Sequence, residues 1–174
     1  MPARPIDTCP SYVRTIASET ASIWSNSILP GGNGFIADHL MERLYREAPL
    51  NGIWEGTGNV ICLDVLRAMQ REPETTAGFL GEVAKARGAN ARLDSFADKL
   101  ARYLRDNSGL ESHARRLVEM MALALQASLL VRHSSAAVIG AFCATRLDGD
   151  WGHAFGTLPR GLDTQAIIDR ARIS

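Results

Sequence analysis

Cysteine is scarce in this 174-residue sequence, and Cys9, Cys62 and Cys143 are odd in number, far apart and without C-x-x-C spacing. That argues against a disulfide framework and for a reducing compartment, in which isolated cysteines serve as small core residues. The first residues contain no basic flank followed by a long apolar stretch, so no secretory signal is expected and the expected location is cytoplasmic. Long hydrophobic runs are missing too. The most apolar one, Leu117 to Val131 (LVEMMALALQASLLV), is interrupted by Glu119 and Gln126. It covers only about half to three-quarters of a bilayer span and is expected to be a buried helix rather than a membrane segment. Neither sign of charge is in excess, with 19 Lys+Arg against 19 Asp+Glu. No long-range field gathers nucleic acid or acidic membrane to the whole molecule, so any partner must be selected locally.

Strand signals are nearly absent as well, because no stretch alternates apolar and polar residues with the Val, Ile, Thr and aromatic content of a half-buried strand. What is present is helical periodicity. From Leu93 the apolar positions fall at Phe96, Ala97, Leu100, Tyr103 and Leu104, which is the three-and-four spacing of one helix face. Asp94, Asp98, Lys99, Arg102 and Arg105 take the other face, with Asp98 and Arg102 one turn apart in the favourable orientation. Ser108 and Glu111 have the S-x-x-E form of a capping box, Pro73 suits a first helical position, and Gly88 suits a helix stop. The spacing predicts helices at 10–27, 38–47, 58–70, 73–88, 91–107, 110–133, 135–146 and 164–171, with a loop-rich tail over 147–163. A chain of this length buries about two-thirds of the surface its unfolded form exposes. The expected fold class is all-α, an antiparallel helical bundle of one domain or a little more, since short connections make neighbouring helices antiparallel.

Two glycine-bearing stretches interrupt the helices: Gly31-Gly-Asn-Gly-Phe35 and Glu55-Gly-Thr-Gly-Asn59. Glycine and asparagine tolerate the left-handed conformations of turns and helix boundaries, which is explanation enough for either stretch alone. The second leads straight into VICLDVLRAM, so Thr57, Gly58 and Asn59 can also present free amides and short polar side chains at a helix N-terminus, a grip for a phosphate or a polar cofactor edge. Glu55 is either the punctuation before that helix or a base whose pKa is raised by desolvation against Trp54.

The stretch GGNGF, then seven residues, then RLYREAPLNGIWEGTGNVICLDVLRAM resembles the C-terminal helical domain of flavin-dependent acyl-CoA dehydrogenases, within an AidB-like branch. The family pattern is a G-G-x-G-[FY] turn, then R-[DE]-A, then [YW]-E-G-[ST], and both motifs and their separation agree over residues 31 to 69. The tail WGHAFGTLPRGLDTQAIID is similar, more loosely, to the extension of that branch. The resemblance implies segments at 1–29 (a helical stretch matching poorly), 30–72 (the C-terminal core motifs) and 73–174 (an AidB-like extension). It implies that Glu55 occupies the position of the glutamate that removes the α-proton of an acyl thioester. It further implies that Gly56 lines the acyl pocket, that Thr57 and Asn59 contact FAD, and that Gly31, Gly32 and Asn33 form a turn touching the FAD of a neighbouring subunit. Arg46 and Glu47 match the R-[DE] pair, with a structural role.

Nothing in the sequence corresponds to the family's N-terminal helical domain or central β-domain, so the chain is expected to be a detached C-terminal piece with weak or no dehydrogenase activity alone. Acyl-CoA and a homo-oligomeric or full-length family partner are the implied companions, and no membrane is implied. The alternative is a DNA-binding or oligomerisation module. For that reading Arg115, Arg116, Arg132, Arg146, Arg160, Arg170 and Arg172 are the candidate contacts, with Glu119, Asp148, Asp150, Asp163 and Asp169 among them. His39, His113, His133 and His153 do not share a face with acids at ligand spacing, so no metal site is expected. Trp24 and Trp151 are expected to pack, and Ser134 and Ser135 beside His133 are not a catalytic pair by adjacency alone.

Overall fold

A computed structural model describes residues 32, 36–38, 40–47, 50, 56–106, 109–150 and 157–172. The expected helix at 10–27, and Ser108 of the expected capping box, lie outside the described residues. The fold is all-α, and no strand occurs among the described residues. The helices are α1 (Leu40–Glu47), α2 (Gly58–Arg71), α3 (Pro73–Ala84), α4 (Ala91–Arg105), α5 (Ala114–His133), α6 (Ala136–Phe142) and α7 (Thr164–Ala171). A 3-10 turn, Leu110–His113, precedes α5, and a π-helical turn, Cys143–Leu147, follows α6. Two compact units are formed, Met1–Thr75 with Leu110–Val118, and Thr76–Gly109 with Glu119–Ser174.

Helix boundaries follow local chemistry. Pro73 opens α3, where its missing N–H costs nothing. That helix was expected to reach Gly88 but ends at Ala84. Its last turn tightens into i→i+3 bonds, among them Arg87 N to Ala84 O at 2.9 Å, before Gly88 takes φ +83°. Asp94 then accepts from the Gly88 amide with both oxygens, at 3.1 and 3.2 Å, which fixes the turn into α4. Asn90 caps α4 by accepting from the Arg92 and Leu93 amides. The expected start at 110 is resolved into the 3-10 turn, with regular α-helix from Ala114.

The second unit has a core in which Leu93 of α4, Ala127 of α5, Cys143 and Ala86 are buried together, with Val131, Ile139, Phe142 and Leu147 packed against them. Leu100 is also fully buried, as expected for the inward face of α4, and so is Phe79 of α3. Burial pushes the Cys143 thiol above its ordinary pKa, so it stays protonated as a small apolar core group. Polar clasps set the geometry around this core. Glu82 of α3 accepts from Arg132 Nη2 of α5 at 2.6 Å and from Lys85, while Ser128 Oγ donates to the Glu82 carbonyl at 3.3 Å. Arg92 at the start of α4 pairs with Asp148 after the π-helical turn. Thr145 Oγ1 within that turn donates to Ala141 O at 2.7 Å.

One expected pair gains a closer partner. Asp98 bonds Arg87 Nη1 at 2.8 Å, because the turn at Gly88 swings Arg87 over the outer face of α4, while Arg102 acts on it through its charge. The Arg87 guanidinium holds the Asp98 carboxyl below its usual range.

Truncating Leu100 to Ala should lower the unfolding free energy by about 2–5 kcal/mol through lost transfer energy and a cavity. Lys99→Ala, on the exposed face, should stay within about 0.5 kcal/mol in the same denaturant titration. The hydrogen bonds from Lys85 and Arg132 depress the Glu82 pKa. A depressed carboxylate contributes stability at neutral pH that is lost as pH falls through its folded-state value. The unfolding midpoint should therefore drop on acidification below the ordinary carboxylate range, with a shallower drop in Glu82→Gln. Equal acid slopes in the two proteins would remove the clasp as a cause.

Candidate functional site

In the first unit, Gly56 adopts φ +110°, a conformation that side chains rarely take and that glycine enters freely. Thr57 follows in extended conformation as the N-cap residue of α2, and its carbonyl accepts the first intrahelical bond from Ile61 N at 3.1 Å. Its side chain makes no capping bond. The amides of Gly58, Asn59 and Val60 therefore precede the intrahelical ladder, and the Thr57 hydroxyl is not spent on them. Thr57 and Asn59 are exposed, and Gly56 and Gly58 are half-buried.

Arg115, at the start of α5, reaches this helix end. Its Nη1 donates to Asn59 Oδ1 at 3.1 Å, a bond that does not use the Asn59 Nδ2 donor. A Cβ placed on Gly58 would lie 3.7 Å from Arg115 Nη2, in ordinary contact, so the guanidinium spreads over the backbone of the first turn. A cation beside a helix N-terminus adds to the positive end of the helix dipole, and the two together favour an anionic or electron-rich group.

Of the residues singled out in the sequence, the structure therefore assembles Gly56, Thr57 and Asn59 in one turn. Gly32 is exposed, and a Cβ there would meet nothing within 4 Å. Glu55, Gly31 and Asn33 lie outside the described residues, as does Trp54. Arg46, expected to be structural, forms an exposed ion pair with Glu42 at 2.8 Å within α1. Arg115, which sequence reasoning named only among the candidate DNA contacts, is the site residue whose place beside Asn59 it missed. It stands 56 positions from Asn59 in a mixed-charge stretch, and no local pattern couples the two. No group of three or more His, Cys, Asp or Glu side chains with metal-ligand geometry occurs among the described residues. No described helix is long and apolar enough to cross a membrane.

A turn requiring glycine, followed by an uncapped helix start, lies inside residues 14–70, which match the family model of the acyl-CoA dehydrogenase C-terminal domain, and this stretch belongs to that family. Among relatives, the chain is 30% identical over 118 residues to the Putative acyl-CoA dehydrogenase AidB of Escherichia coli (strain K12), which covers 68% of this chain and 21% of that protein. It is 31% identical over 141 residues to the Acyl-CoA dehydrogenase family member 11 of Caenorhabditis elegans, covering 81% of this chain and 20% of that one. The chain thus spans about a fifth of the length of these relatives.

Gly56→Ala should cost about 1–3 kcal/mol, the usual strain of forcing a side chain into a glycine conformation. Gly58→Ala should be neutral or slightly stabilising, because its Cβ fits and alanine favours the helix. Equal unfolding midpoints for the two variants would contradict the geometry of this turn.

Proposed function

We propose that residues 31–59 furnish part of an FAD-dependent acyl-CoA dehydrogenase site, the site of an oxidoreductase acting on the CH–CH bond of an acyl thioester. The supporting observation is the glycine-requiring turn at Gly56 that opens directly onto the uncapped, Arg115-flanked start of α2 within the family match. These residues suit a flavin. The amides of the first turn, the uncommitted Thr57 hydroxyl and Asn59 Nδ2 are donors of the kind that a ring edge rich in carbonyl oxygens takes up. In this reading Glu55 is the base whose carboxylate accepts the α-proton, and the bare Gly56 backbone leaves room for the acyl thioester. Thr57 and Asn59 hold the cofactor edge, and Gly31, Gly32 and Asn33 meet the flavin of a neighbouring copy. FAD, when bound, supplies the hydride acceptor.

The same reading makes the protein a cytoplasmic homo-oligomer or the companion of a full-length relative. It also assigns weak or no turnover to the 174 residues by themselves, since proximity and a dry enclosure require parts of the family's site outside 31–59. The DNA-binding alternative has less support. Arg132 and Arg172 pair with Glu82 and Asp169, and Arg115 and Arg170 donate to Asn59 and Ser134. Arg146 also has an interaction of its own, so at least five of the seven candidate phosphate contacts are engaged.

The test is titration of the purified chain with FAD, followed by flavin absorbance and fluorescence. Saturable binding is expected, weakened about tenfold in a Thr57→Val, Asn59→Leu double variant by the loss of its donors. No saturable signal, or binding indifferent to that variant, would reject the flavin contacts. A salt-sensitive shift of duplex DNA in place of flavin binding would favour the alternative.

A further inference from the structure

The C-terminal helix α7 lies on α6 in the second unit, and the two are tied at two points. Leu162 Cδ2 sits 3.9 Å from where a Cβ of Gly140 would stand, and Arg170 Nη1 donates to Ser134 Oγ at 3.1 Å. Residue 162 meets 140 while 170 meets 134, so the helices run antiparallel. Ser134, Ala137 and Gly140 recur at three-residue spacing, which forms a flat face of small side chains. Such a face admits a close neighbour but buries little apolar area beneath it. No residue of α7 is buried, Ile168 remains 51% exposed, and Leu158 just upstream is 46% exposed.

The opposite side of α6 is held quite differently. Ile139 and Phe142 pack against the core formed by Leu93, Ala127, Ala86 and Cys143, so α6 keeps its place without help from α7. The tail helix, for its part, is supported from within: Asp163 caps it by accepting from Ala166 N at 3.0 Å, and Gln165 donates to Asp169 at 2.8 Å.

We propose that α7 is a strap that opens and closes on α6 while the rest of its unit stays folded, baring the Ser134, Ala137 and Gly140 face each time it lifts. Few buried contacts are lost on opening, and the core residues are not among them, which is the condition for a local rather than global opening. The inference is independent of the flavin reading.

Native-state hydrogen exchange on the full 174-residue chain tests it. The α7 amides should be protected at least about a hundredfold less than those of α4 and α5, and their exchange should depend little on denaturant. Gly140→Leu, whose side chain occupies the Leu162 seat, should abolish α7 protection while α4 and α5 stay within about twofold. Gly140→Ala should leave the strap seated, since its Cβ makes only an ordinary contact. Arg170→Ala should lower protection in α7 alone, and with Gly140→Ala it keeps the test decisive if Gly140→Leu fails to fold. Equal protection in α7, α4 and α5 of the wild-type protein, or a parallel fall in all three in either loosening variant, would overturn the strap.

Discussion

Desolvation of α5 is the constraint on which the rest depends. Leu117, Val118, Met120, Met121, Ala122, Ala124, Ala127 and Ser128 are all buried, so a broad face of its middle is removed from water, while Glu119 and Leu129 stay exposed. A helix with so broad an apolar face is stable only when that face is enclosed, and the enclosure must come from neighbours with matching faces. The alanines and the serine let those neighbours approach closely. Ser128 is the one polar side chain among them, and its hydroxyl finds the Glu82 carbonyl rather than being left unsatisfied.

Hydrophobic burial has no direction, and the directional information comes from a few polar contacts at the periphery. Glu82 with Arg132, Arg92 with Asp148, and Asp94 with the Gly88 amide each connect segments that the core alone would leave free to slide. As exposed or half-exposed pairs they contribute modestly to stability. Their larger effect is on register, since each is satisfied in one arrangement of the helices.

The helical periodicity and boundary residues were legible because they are local. The outward and inward faces of α4, the proline opening α3 and the extent of α7 all follow from spacing and capping chemistry within a few residues. Three features were not legible for a common reason. The Arg87 contact with Asp98 depends on where the Gly88 turn sends the chain, the Arg115 contact with Asn59 joins residues 56 positions apart, and the π-helical turn Cys143–Leu147 interrupts what the spacing reads as one continuous helix. None leaves a periodic trace. Asn90 is a different case, since an asparagine just before the Leu93 periodicity is a capping signal that the sequence displayed openly. At the candidate site the need for glycine after Glu55 could be suspected from the motif, but the sign of its φ angle belongs to the backbone.

That angle has an evolutionary corollary. Every sense codon one nucleotide away from a glycine codon and specifying another amino acid encodes a residue with a Cβ, and at φ +110° each such residue meets backbone strain before any contact is considered. Residue 56 therefore has no easy neighbour in the genetic code. Drift at this position is opposed by conformational geometry, whether or not a reaction takes place beside it.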